Sequence, residues 1–488
     1  MKTAIEKNVQ AFSTLFGDPA LANYLRDRRI GVFFGDNSDT VSGRLLTEAL
    51  ADTLARLWPR IDSSGPLADL FLSTARKTAQ SGQLPIDLND RWAPPYDSVV
   101  VIGSGTVRDA GPIVWIGADG WKVSFGTNSR LGDSPLPIGP AAAAAIAAAE
   151  VFKQVFESKL ESHGITPLGD GEWNLWNLGI DGSLPGEQNI VFPRTHVFGC
   201  GAVTHGLLWV LERWPTPVSG TILLIDHDVY DYTNGQRYVG MRPEDPSRIK
   251  VDALAERLQS SHPALKVLPF QQSMNDYFDF HEPIPSVTLA IVGLDSEESR
   301  RQAALKLPRR SINMWTDGHH LGSSRHGFRD GWPCLFCSYP EDISRQKDEV
   351  AIISSQTGLQ PYRVRTLLDT GESLTPSDAS LVVSKLGRPA NEVTGKSLRT
   401  ILQQLCATGH VKLSGKVGDT DVPFAFSSLL AGVVGFRNIV KELQSPSDPP
   451  TRWTYDILQR PNPGLVQPAS PRDNCYLCSV KETTITNK

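Results

Sequence analysis

The stretch that decides the fold is HVFGCGAVTHGLLWVLERW at residues 196–214, followed by GTILLIDHDVYDYTNGQRYVG at residues 220–240. An apolar strand runs into a glycine-rich turn, then a helix, then a second apolar strand that ends at Asp226. This order is typical of a nucleotide-binding βαβ unit. Both a dehydrogenase and an ATP-using adenylating enzyme can begin in this way.

Strands and helices continue to alternate after this unit. We predict helices near residues 202–213, 247–260, 297–306 and 423–443, and strands at residues 190–198, 221–226, 266–270, 288–293 and 311–315. Alternation of this kind predicts an α/β fold with a doubly wound, mainly parallel sheet of the Rossmann type.

The N-terminal part shows a similar order without an intact glycine turn. Strands are predicted at 30–34 and 98–103, with helices at 43–58 and 139–160, and FFGDNSDTVSG follows the first strand where a glycine turn would stand. We therefore interpret residues 1–165 as a smaller, degenerate copy of the later unit; an unrelated domain is the alternative. Residues 166–186 are predicted to be a linker, and residues 187–488 to be the second domain with a helical insertion at 345–415.

The composition is that of a globular protein. The chain has 488 residues, of which 40% are hydrophobic and 21% charged, with a net charge of -5. This charge, without a basic stripe, argues against a nucleic-acid partner. The start of the chain lacks the pattern of a signal peptide, and the longest apolar run, residues 141–149, is too short to span a bilayer. We expect a cytoplasmic protein with no membrane partner.

The glycine turn and the end of the following strand predict a nucleotide site. Gly199 permits a tight turn, and Gly201 lets the backbone approach a phosphate at the helix N-terminus, where the helix dipole is positive. Thr204 stands where the third glycine of the usual pattern would be. The carboxylate of Asp226 is placed to accept ribose hydroxyls, in NAD or in ATP; a surface carboxylate is the alternative.

The residues after Asp226 favour triphosphate chemistry. Asn234, Arg237 and Lys250 bring an amide and two cations towards the ribose, and negative charge on phosphates needs such groups whereas hydride transfer does not. Asp295 closes a later predicted strand, where its carboxylate is positioned to hold Mg²⁺.

Residues 187–445 resemble the ThiF/MoeB superfamily, the adenylation domain of ubiquitin-activating enzymes. The family pattern is a glycine loop, D-x-D-x-V…S-N-L-x-R-Q, a lysine, and a strand ending in T-D-N; the chain has DHDVYDYTNGQR, a lysine thirteen residues after the arginine, and LDS at 294–296. The departures are Thr204, Thr233–Asn234–Gly235 and Ser296. The resemblance implies that Asp226 binds ribose, Asn234 helps to shape the site, Arg237 and Lys250 bind phosphates, and Asp295 holds magnesium.

Two C-x-x-C pairs predict a metal site. Cys334, Cys337, Cys475 and Cys478 supply four thiolates, the set that a structural Zn²⁺ prefers. With four protein ligands the zinc would have no open position, and it would staple the tail to the adenylation domain. Cys200, inside the glycine turn, is interpreted as a small packing residue.

Cys406 is the candidate for a thioester-forming cysteine. In the family, this cysteine lies between the first C-x-x-C pair and the long helix packed on the site, and Cys406 is the only cysteine in that interval. Its context, CATG, is similar to the family stretch C-A-x-x-G. A buried core cysteine at the end of an amphipathic helix is the alternative.

The resemblance implies an enzyme that uses ATP and Mg²⁺ to adenylate the C-terminal carboxylate of a small ubiquitin-like protein. The Cys406 thiolate would then form a thioester, and the carrier would pass to a conjugating enzyme. The family also implies pairing of two adenylation-type folds, within the chain or as a homodimer, and an arginine supplied by the N-terminal part, for which YLRDRR at 24–29 offers candidates. Bacterial members of this type include antiphage defence systems.

Other interpretations stay open at this point. A sulfur-carrier adenylyltransferase of the molybdopterin or thiamin type would share the first step without the thioester, and a non-catalytic scaffold would keep only the fold and zinc. A dehydrogenase is the most distant alternative. The histidines in DGHHLGSSRHG at 317–327 either line the site or belong to a surface loop.

Overall fold

The computed structural model of the protein describes the greater part of the chain. The described residues are 4–16, 21–105, 107, 111–161, 164–179, 184–281, 286–339, 350, 353–355, 357–386, 393–398, 401, 422–461, 466–473, 475 and 477–478. The chain divides into two compact units, one formed by residues 1–339 with 421–488 and the other by residues 340–420.

The N-terminal half of the first unit forms a seven-stranded sheet with the order β3-β2-β1-β4-β5-β6-β7. Its strands are β1 Ile30–Phe34, β2 Arg60–Ser64, β3 Asp87–Asn89, β4 Ser98–Ile102, β5 Ile113–Asp119, β6 Lys122–Phe125 and β7 Gly171–Asn174. Strands β1 to β5 pair in parallel, whereas β6 and β7 are antiparallel. The apolar runs IGVFF and SVVVI form β1 and β4 at the centre, because a central parallel strand is buried on both faces. The edge strand β7 lies in the stretch 166–186, for which the sequence predicts a linker.

The C-terminal half forms an eight-stranded sheet with the order β10-β9-β8-β11-β12-β13-β14-β15. Its strands are β8 Ile190–Phe198, β9 Val218–Ile225, β10 Leu265–Phe270, β11 Leu289–Val292, β12 Arg310–Asp317, β13 His320–Gly327, β14 Thr451–Asp456 and β15 Val466–Pro468. Strands β8 to β12 are parallel and the last three are antiparallel. This is the doubly wound, mainly parallel sheet that the sequence predicts, so the predicted fold class is confirmed.

The two sheets share one topology. The first seven strands of each follow the same spatial order, and in each the pairing changes from parallel to antiparallel between the fifth and the sixth strand. In the N-terminal sheet the turn after β1 is hydrogen-bonded to the turn after β4. Asn37 Oδ1 accepts hydrogen bonds from Ser104 N at 2.5 Å and from Ser104 Oγ at 2.9 Å. The division into one inactive and one active domain, with the predicted boundaries, stays a prediction.

Helices connect the strands and cover the sheets. They are α1 Ala4–Phe16, α2 Leu21–Tyr24, α3 Val41–Leu54, α4 Ala68–Gly82, α5 Ile138–Val155, α6 Glu157–Leu160, α7 Ala202–Glu212, α8 Lys250–Ser261, α9 Met274–His281, α10 Glu297–Leu305, α11 Leu335–Ser338, α12 Pro361–Thr370, α13 Pro376–Leu386 and α14 Ala425–Gln444, with 3-10 helices at Leu25–Asp27 and Tyr232–Gln236.

Helices α5 and α14 occupy equivalent places, each following the sixth strand of its sheet, and they pack against each other. Phe152 of α5 lies with its ring centroid 4.8 Å from that of Phe424, immediately before α14. By length and composition α5 could span a membrane, but 89% of it is buried inside the protein. It is therefore a core helix, and one continuous apolar core joins the two halves.

The unit formed by residues 340–420 contains α12 and α13. These helices enclose a small apolar core in which the side chains of Leu367 and Val382 are fully buried. Arg363 of α12 binds Asp378 of α13 at 2.7 Å and Glu372 at 2.6 Å. The bounds of this unit enclose the predicted insertion 345–415. Cys406 lies outside the described residues.

Candidate active site

The glycine turn after β8 has the geometry of a phosphate cradle. Gly199 adopts a φ of +83°, and a Cβ there would lie 2.9 Å from the carbonyl oxygen of Gly293, so the turn requires glycine. Gly201 precedes α7 as its N-terminal cap without a side-chain hydrogen bond, and a Cβ there would meet nothing closer than 3.7 Å. The first N–H groups of α7 therefore face space that can receive an anion.

The third position of the glycine pattern is filled by Thr204, and the structure accommodates it. Thr204 is buried, and its Oγ1 donates a 2.7 Å hydrogen bond to the carbonyl oxygen of Gly199. Gly293 lies against this hydroxyl and leaves room for it. Gly206, further along α7, is close to a second helix, since a Cβ there would come within 2.8 Å of Ser428 O of α14.

Asp226 lies at the carboxyl end of β9, directly across from the glycine turn. One carboxylate oxygen accepts the N–H of Cys200 at 2.6 Å, and the other accepts the N–H of Asp228 at 2.8 Å. Burial, followed by the charge of Asp226, raises the pKa of Cys200 well above its usual value, so this thiol stays protonated inside the turn. The geometry agrees with a packing position for Cys200.

Lys250 is the most buried charged group of the predicted site. Its side chain is only 3% exposed, and Nζ donates to Asp228 Oδ2 at 2.6 Å and to the Tyr238 hydroxyl at 3.3 Å. Burial by itself lowers the pKa of Lys250, but Tyr238, Asp226 and Asp228 more than offset it and raise the pKa above its usual value. The ammonium therefore stays protonated at neutral pH.

Asn234 and Arg237 lie on the 3-10 helix Tyr232–Gln236 and at its end. Asn234 is buried, and its Oδ1 accepts the N–H of Asp231, whose carboxylate in turn accepts the N–H of Thr233. This reciprocal cap shapes the 3-10 helix. The guanidinium of Arg237 is half-buried and lies 5.2 Å from the ring centroid of Tyr238.

Asp295 lies beyond the end of β11 at the carboxyl edge of the same sheet, and its side chain is exposed. The next residue, Ser296, caps α10 by accepting the N–H of Ser299 at 3.1 Å. Arg300 is buried and donates a 2.6 Å hydrogen bond to Leu294 O, so it anchors the turn that carries Asp295.

These groups converge where the central strands end. A Cβ on Gly201 would lie 3.9 Å from the Tyr238 hydroxyl, which itself lies 3.3 Å from Lys250 Nζ. The glycine turn, Tyr238 and Lys250 therefore lie next to one another at the carboxyl edge, where open α/β sheets bind their ligands.

Two residues near Lys250 were not predicted as site residues from the sequence. Asp228, the ion-pair partner of Lys250, is the second aspartate of the D-x-D pattern, and that pattern could have marked it as a site residue. His205 is buried behind the site, with Nδ1 at 3.3 Å from Val239 O and Nε2 at 3.0 Å from the Tyr230 hydroxyl. Burial, with the charges of Arg257 and Lys250, lowers the pKa of His205 well below its usual value, so its ring is neutral.

The four paired cysteines meet in space. Their sulfur atoms are separated by 3.8 Å for Cys334–Cys337, 3.7 Å for Cys334–Cys475 and 3.6 Å for Cys337–Cys478. Tetrahedral Zn²⁺ with Zn–S bonds of about 2.3 Å requires sulfur–sulfur distances of about 3.8 Å. The donor set and its spacing therefore fit a zinc ion.

Three of the remaining sequence candidates, Arg28, Arg29 and His319, each lie against a carboxylate. Within YLRDRR, Arg28 binds Asp97 at 2.7 Å and Arg29 forms an ion pair with Asp62, so both are paired inside the N-terminal half. His319 and His320 lie at the β12–β13 hairpin, where His319 Nδ1 is 2.9 Å from Asp456 Oδ1.

Comparisons with known proteins give a matching family and a relative of similar sequence. The model of the ThiF family matches residues 180–435, more than half of the chain. The uncharacterized protein y4jF of Sinorhizobium fredii is 29% identical over 498 residues, which cover 97% of this chain and 93% of that protein.

Two solved structures match parts of this chain. "Crystal structure of E. coli MccB + MccA-N7isoASN" is 13% identical with a TM-score of 0.36 and covers 75% of this chain and 97% of that chain. "Crystal Structure of SeMet PaaA" is 16% identical with a TM-score of 0.31 and covers 54% of this chain and 73% of that chain. TM-scores of this size carry no argument about function. The family match, in contrast, confirms the predicted resemblance: the chain belongs to the ThiF family.

Proposed function

We propose that this protein adenylates the C-terminal carboxylate of a ubiquitin-like protein and then binds the activated carrier as a thioester. Membership of the ThiF family supports ATP-dependent adenylation of a peptide or carrier C-terminus. The observation that carries the proposal is Lys250, a buried ammonium held in its charged form next to the glycine turn. A fixed cation there would stabilise the charge that develops on phosphate oxygens.

In the first step the carrier carboxylate, already ionised at neutral pH, attacks the α-phosphate of ATP. An acyl-adenylate forms and pyrophosphate leaves. The N-terminus of α7 behind Gly199 and Gly201 would bind phosphate, as would Arg237 and Lys250, while the carboxylate of Asp226 would accept the ribose hydroxyls.

Two further residues complete the proposed nucleotide site. Asn234 would act by shaping the 3-10 helix that precedes Arg237, which its bond to the N–H of Asp231 supports. Asp295 would hold Mg²⁺, since an exposed carboxylate suits an ion that keeps several of its waters. Mg²⁺ there would neutralise charge on the phosphates.

In the second step the Cys406 thiolate attacks the acyl carbon and AMP leaves, which gives a thioester. The carrier then passes to a cysteine of a conjugating enzyme. The position of Cys406 in the sequence supports this step. Zn²⁺ on Cys334, Cys337, Cys475 and Cys478 would be structural, because four protein ligands leave it no open position.

The test combines the protein with Mg²⁺, ATP labelled at the γ-phosphate, so that the label leaves with pyrophosphate, and a candidate ubiquitin-like protein. We expect pyrophosphate release and an adduct on a non-reducing gel that thiols remove. Lys250→Met should lower pyrophosphate release by about 100-fold or more, as expected for loss of a group that stabilises transition-state charge. Lys266→Met, on the exposed side of β10, serves as the matched control and should leave the rate unchanged.

The variants of the other residues separate the two steps. Cys406→Ala should keep pyrophosphate release and lose the adduct, whereas Asp295→Ala should lose both. Pyrophosphate release by the wild type without any adduct would instead indicate a sulfur-carrier adenylyltransferase. A wild type that shows neither activity with any carrier tested would point to a scaffold.

A further inference from the structure

We propose that Asp52 and Arg56 of the N-terminal half are positioning residues for the nucleotide site. They hold residues 232–240, here called the 232–240 segment, in the conformation that places Arg237 and Tyr238. That the segment binds a nucleotide rests on the proposed function. That Asp52 and Arg56 hold the segment rests on the contacts alone.

The two side chains bind the backbone of the segment at two points. Arg56 is fully buried, and its Nη1 donates a 2.6 Å hydrogen bond to the carbonyl oxygen of Gly235. Asp52 Oδ2 accepts the N–H of Gly240 at 2.5 Å. The side chains also bind each other, since Arg56 Nη2 donates to Asp52 Oδ1 at 2.5 Å. The ion pair therefore binds the 232–240 segment on both sides of Arg237, at Gly235 and at Gly240.

The rest of the N-terminal half holds this pair in place. Thr78 of α4 donates a 2.8 Å hydrogen bond to Asp52 Oδ1, and Asn8 of α1 donates one of 3.0 Å to the backbone oxygen of Arg56. A buried ion pair of this kind is costly to break from one side, because the partner keeps its charge without water. The pair is therefore a rigid support for the segment.

A close backbone contact also restricts the 232–240 segment at Gly235. Gly82, the last residue of α4, lies against Gly235, and a Cβ on Gly235 would overlap the backbone of Gly82. The 3-10 helix therefore has no room to move towards the N-terminal half, while the ion pair stops it from moving away.

The anchored turn leads directly to the proposed phosphate-binding groups. The Tyr238 hydroxyl lies 3.3 Å from Lys250 Nζ and 3.9 Å from the position of a Cβ on Gly201. A shift of the backbone at Gly235 or Gly240 would carry Tyr238 and Arg237 away from the glycine turn, and misplacement by about 1 Å can cost a site about 100-fold in rate.

Arg56 acts through other residues and not on the nucleotide. Its two terminal nitrogens are directed to a backbone oxygen and to Asp52, inside the protein. This differs from Arg28 and Arg29, which pair with carboxylates of their own half. The N-terminal half would thus control the active half by supporting one segment of it.

The experiment compares three variants of the full-length protein. Asp52→Ala removes the support but leaves Arg56 charged and buried, so it also lowers stability. Asp52→Ala with Arg56→Met removes both charges, and such a replacement often restores stability. Glu48→Gln is the control, because Glu48 also joins the halves, through Arg213 at 3.1 Å, at a partly exposed pair.

Hydrogen exchange of the ligand-free protein gives the first measurement. We expect the amide of Gly240 to exchange at least about tenfold faster in both Asp52 variants and at the wild-type rate in Glu48→Gln. In pyrophosphate release, the KM for ATP should rise about tenfold or more, with the KM for the carrier unchanged, even where the double variant has regained its stability.

The outcomes separate this inference from the proposed function. Wild-type exchange at Gly240 in both Asp52 variants, or a KM for ATP that recovers together with stability, would overturn the positioning role. A wild type that uses no ATP would contradict the proposed function, while the exchange rates would still decide whether Asp52 and Arg56 anchor the segment.

Discussion

At the scale of single residues, the site shows how one substitution in a motif is absorbed by its neighbours. Thr204 replaces a glycine that would allow close helix–strand packing, yet its hydroxyl is bound by Gly199 O and faced by Gly293. Gly206 allows a separate close contact between α7 and α14. The departure from the family pattern is therefore accommodated by the absence of a side chain at Gly293, and the turn itself is intact.

A buried histidine predicts how the stability of the protein changes with pH. His326 of β13 is fully buried with Nε2 at 2.7 Å from Ser324 Oγ, and burial lowers its pKa to about 4. An unfolded histidine titrates near 6.5, so the unfolded state binds more protons as the pH falls from about 6.5 towards 4. The free energy of unfolding is therefore highest above pH 6.5 and falls as the pH decreases. For this one group the loss is about 2 kcal/mol between pH 7 and pH 5.

The measurement is urea unfolding at pH 7 and pH 5 for the wild type and His326→Gln. The variant should lose about 2 kcal/mol less than the wild type on acidification. His205 also has a lowered pKa and stays in both proteins, so only the difference between them reports on His326. Equal losses in the two proteins would show that His326 does not remain neutral in the folded state.

At the scale of elements, the cysteine cluster joins the turn around α11 to the C-terminal tail. Cys475 and Cys478 follow the short edge strand β15, which pairs through only three residues. Such a strand holds a tail weakly, since it buries little apolar area. The metal would therefore supply most of the attachment.

We expect Cys475→Ala to lower the zinc content from about one ion per chain to near zero, because three thiolates bind a structural zinc poorly. Elemental analysis of the purified protein measures this. Limited proteolysis should then remove the tail faster, since metal binding contributes directly to the folded state. Cys200→Ala is the control, because it removes a thiol outside the cysteine cluster. The same zinc content in both variants would contradict a four-cysteine site.

At the scale of the whole molecule, two sheets of equal topology share one apolar core. Phe152 of α5 contacts Phe424 and Phe426, with ring centroids 4.8 and 5.7 Å apart. Since these aromatic rings belong to different halves, neither half buries its central helix alone. The halves should therefore unfold together.

Phe152→Ala should destabilise the protein by about 3–5 kcal/mol, as is typical for loss of a buried aromatic ring. Calorimetry should show that the transition for both sheets moves to lower temperature as one. Phe280→Ala removes a ring that is 77% exposed and should change little. If instead only part of the transition moved in Phe152→Ala, the two halves would be independently stable.

Much of the fold follows from local sequence signals. The apolar runs of β8, β9 and β11 and the glycine turn between β8 and α7 were predictable, because period and turn chemistry act over a few residues. The short edge strand β7 and the strand β13, in which polar residues predominate, were missed, because their strand conformation depends on the neighbouring strands of the sheet.

The sequence by itself determined the α/β class, the residues of the glycine turn, Asp226 and Lys250 as site candidates, and the four-cysteine set. Only the tertiary structure decided which charges face each other. Lys250 binds Asp228, and Arg56 reaches Gly235, a residue 179 positions further along the chain. The contact of Arg56 depends on where the two sheets pack, and that of Lys250 depends on how the chain folds after β9. A charged group needs a partner once it is buried, and burial exists only after the chain has folded.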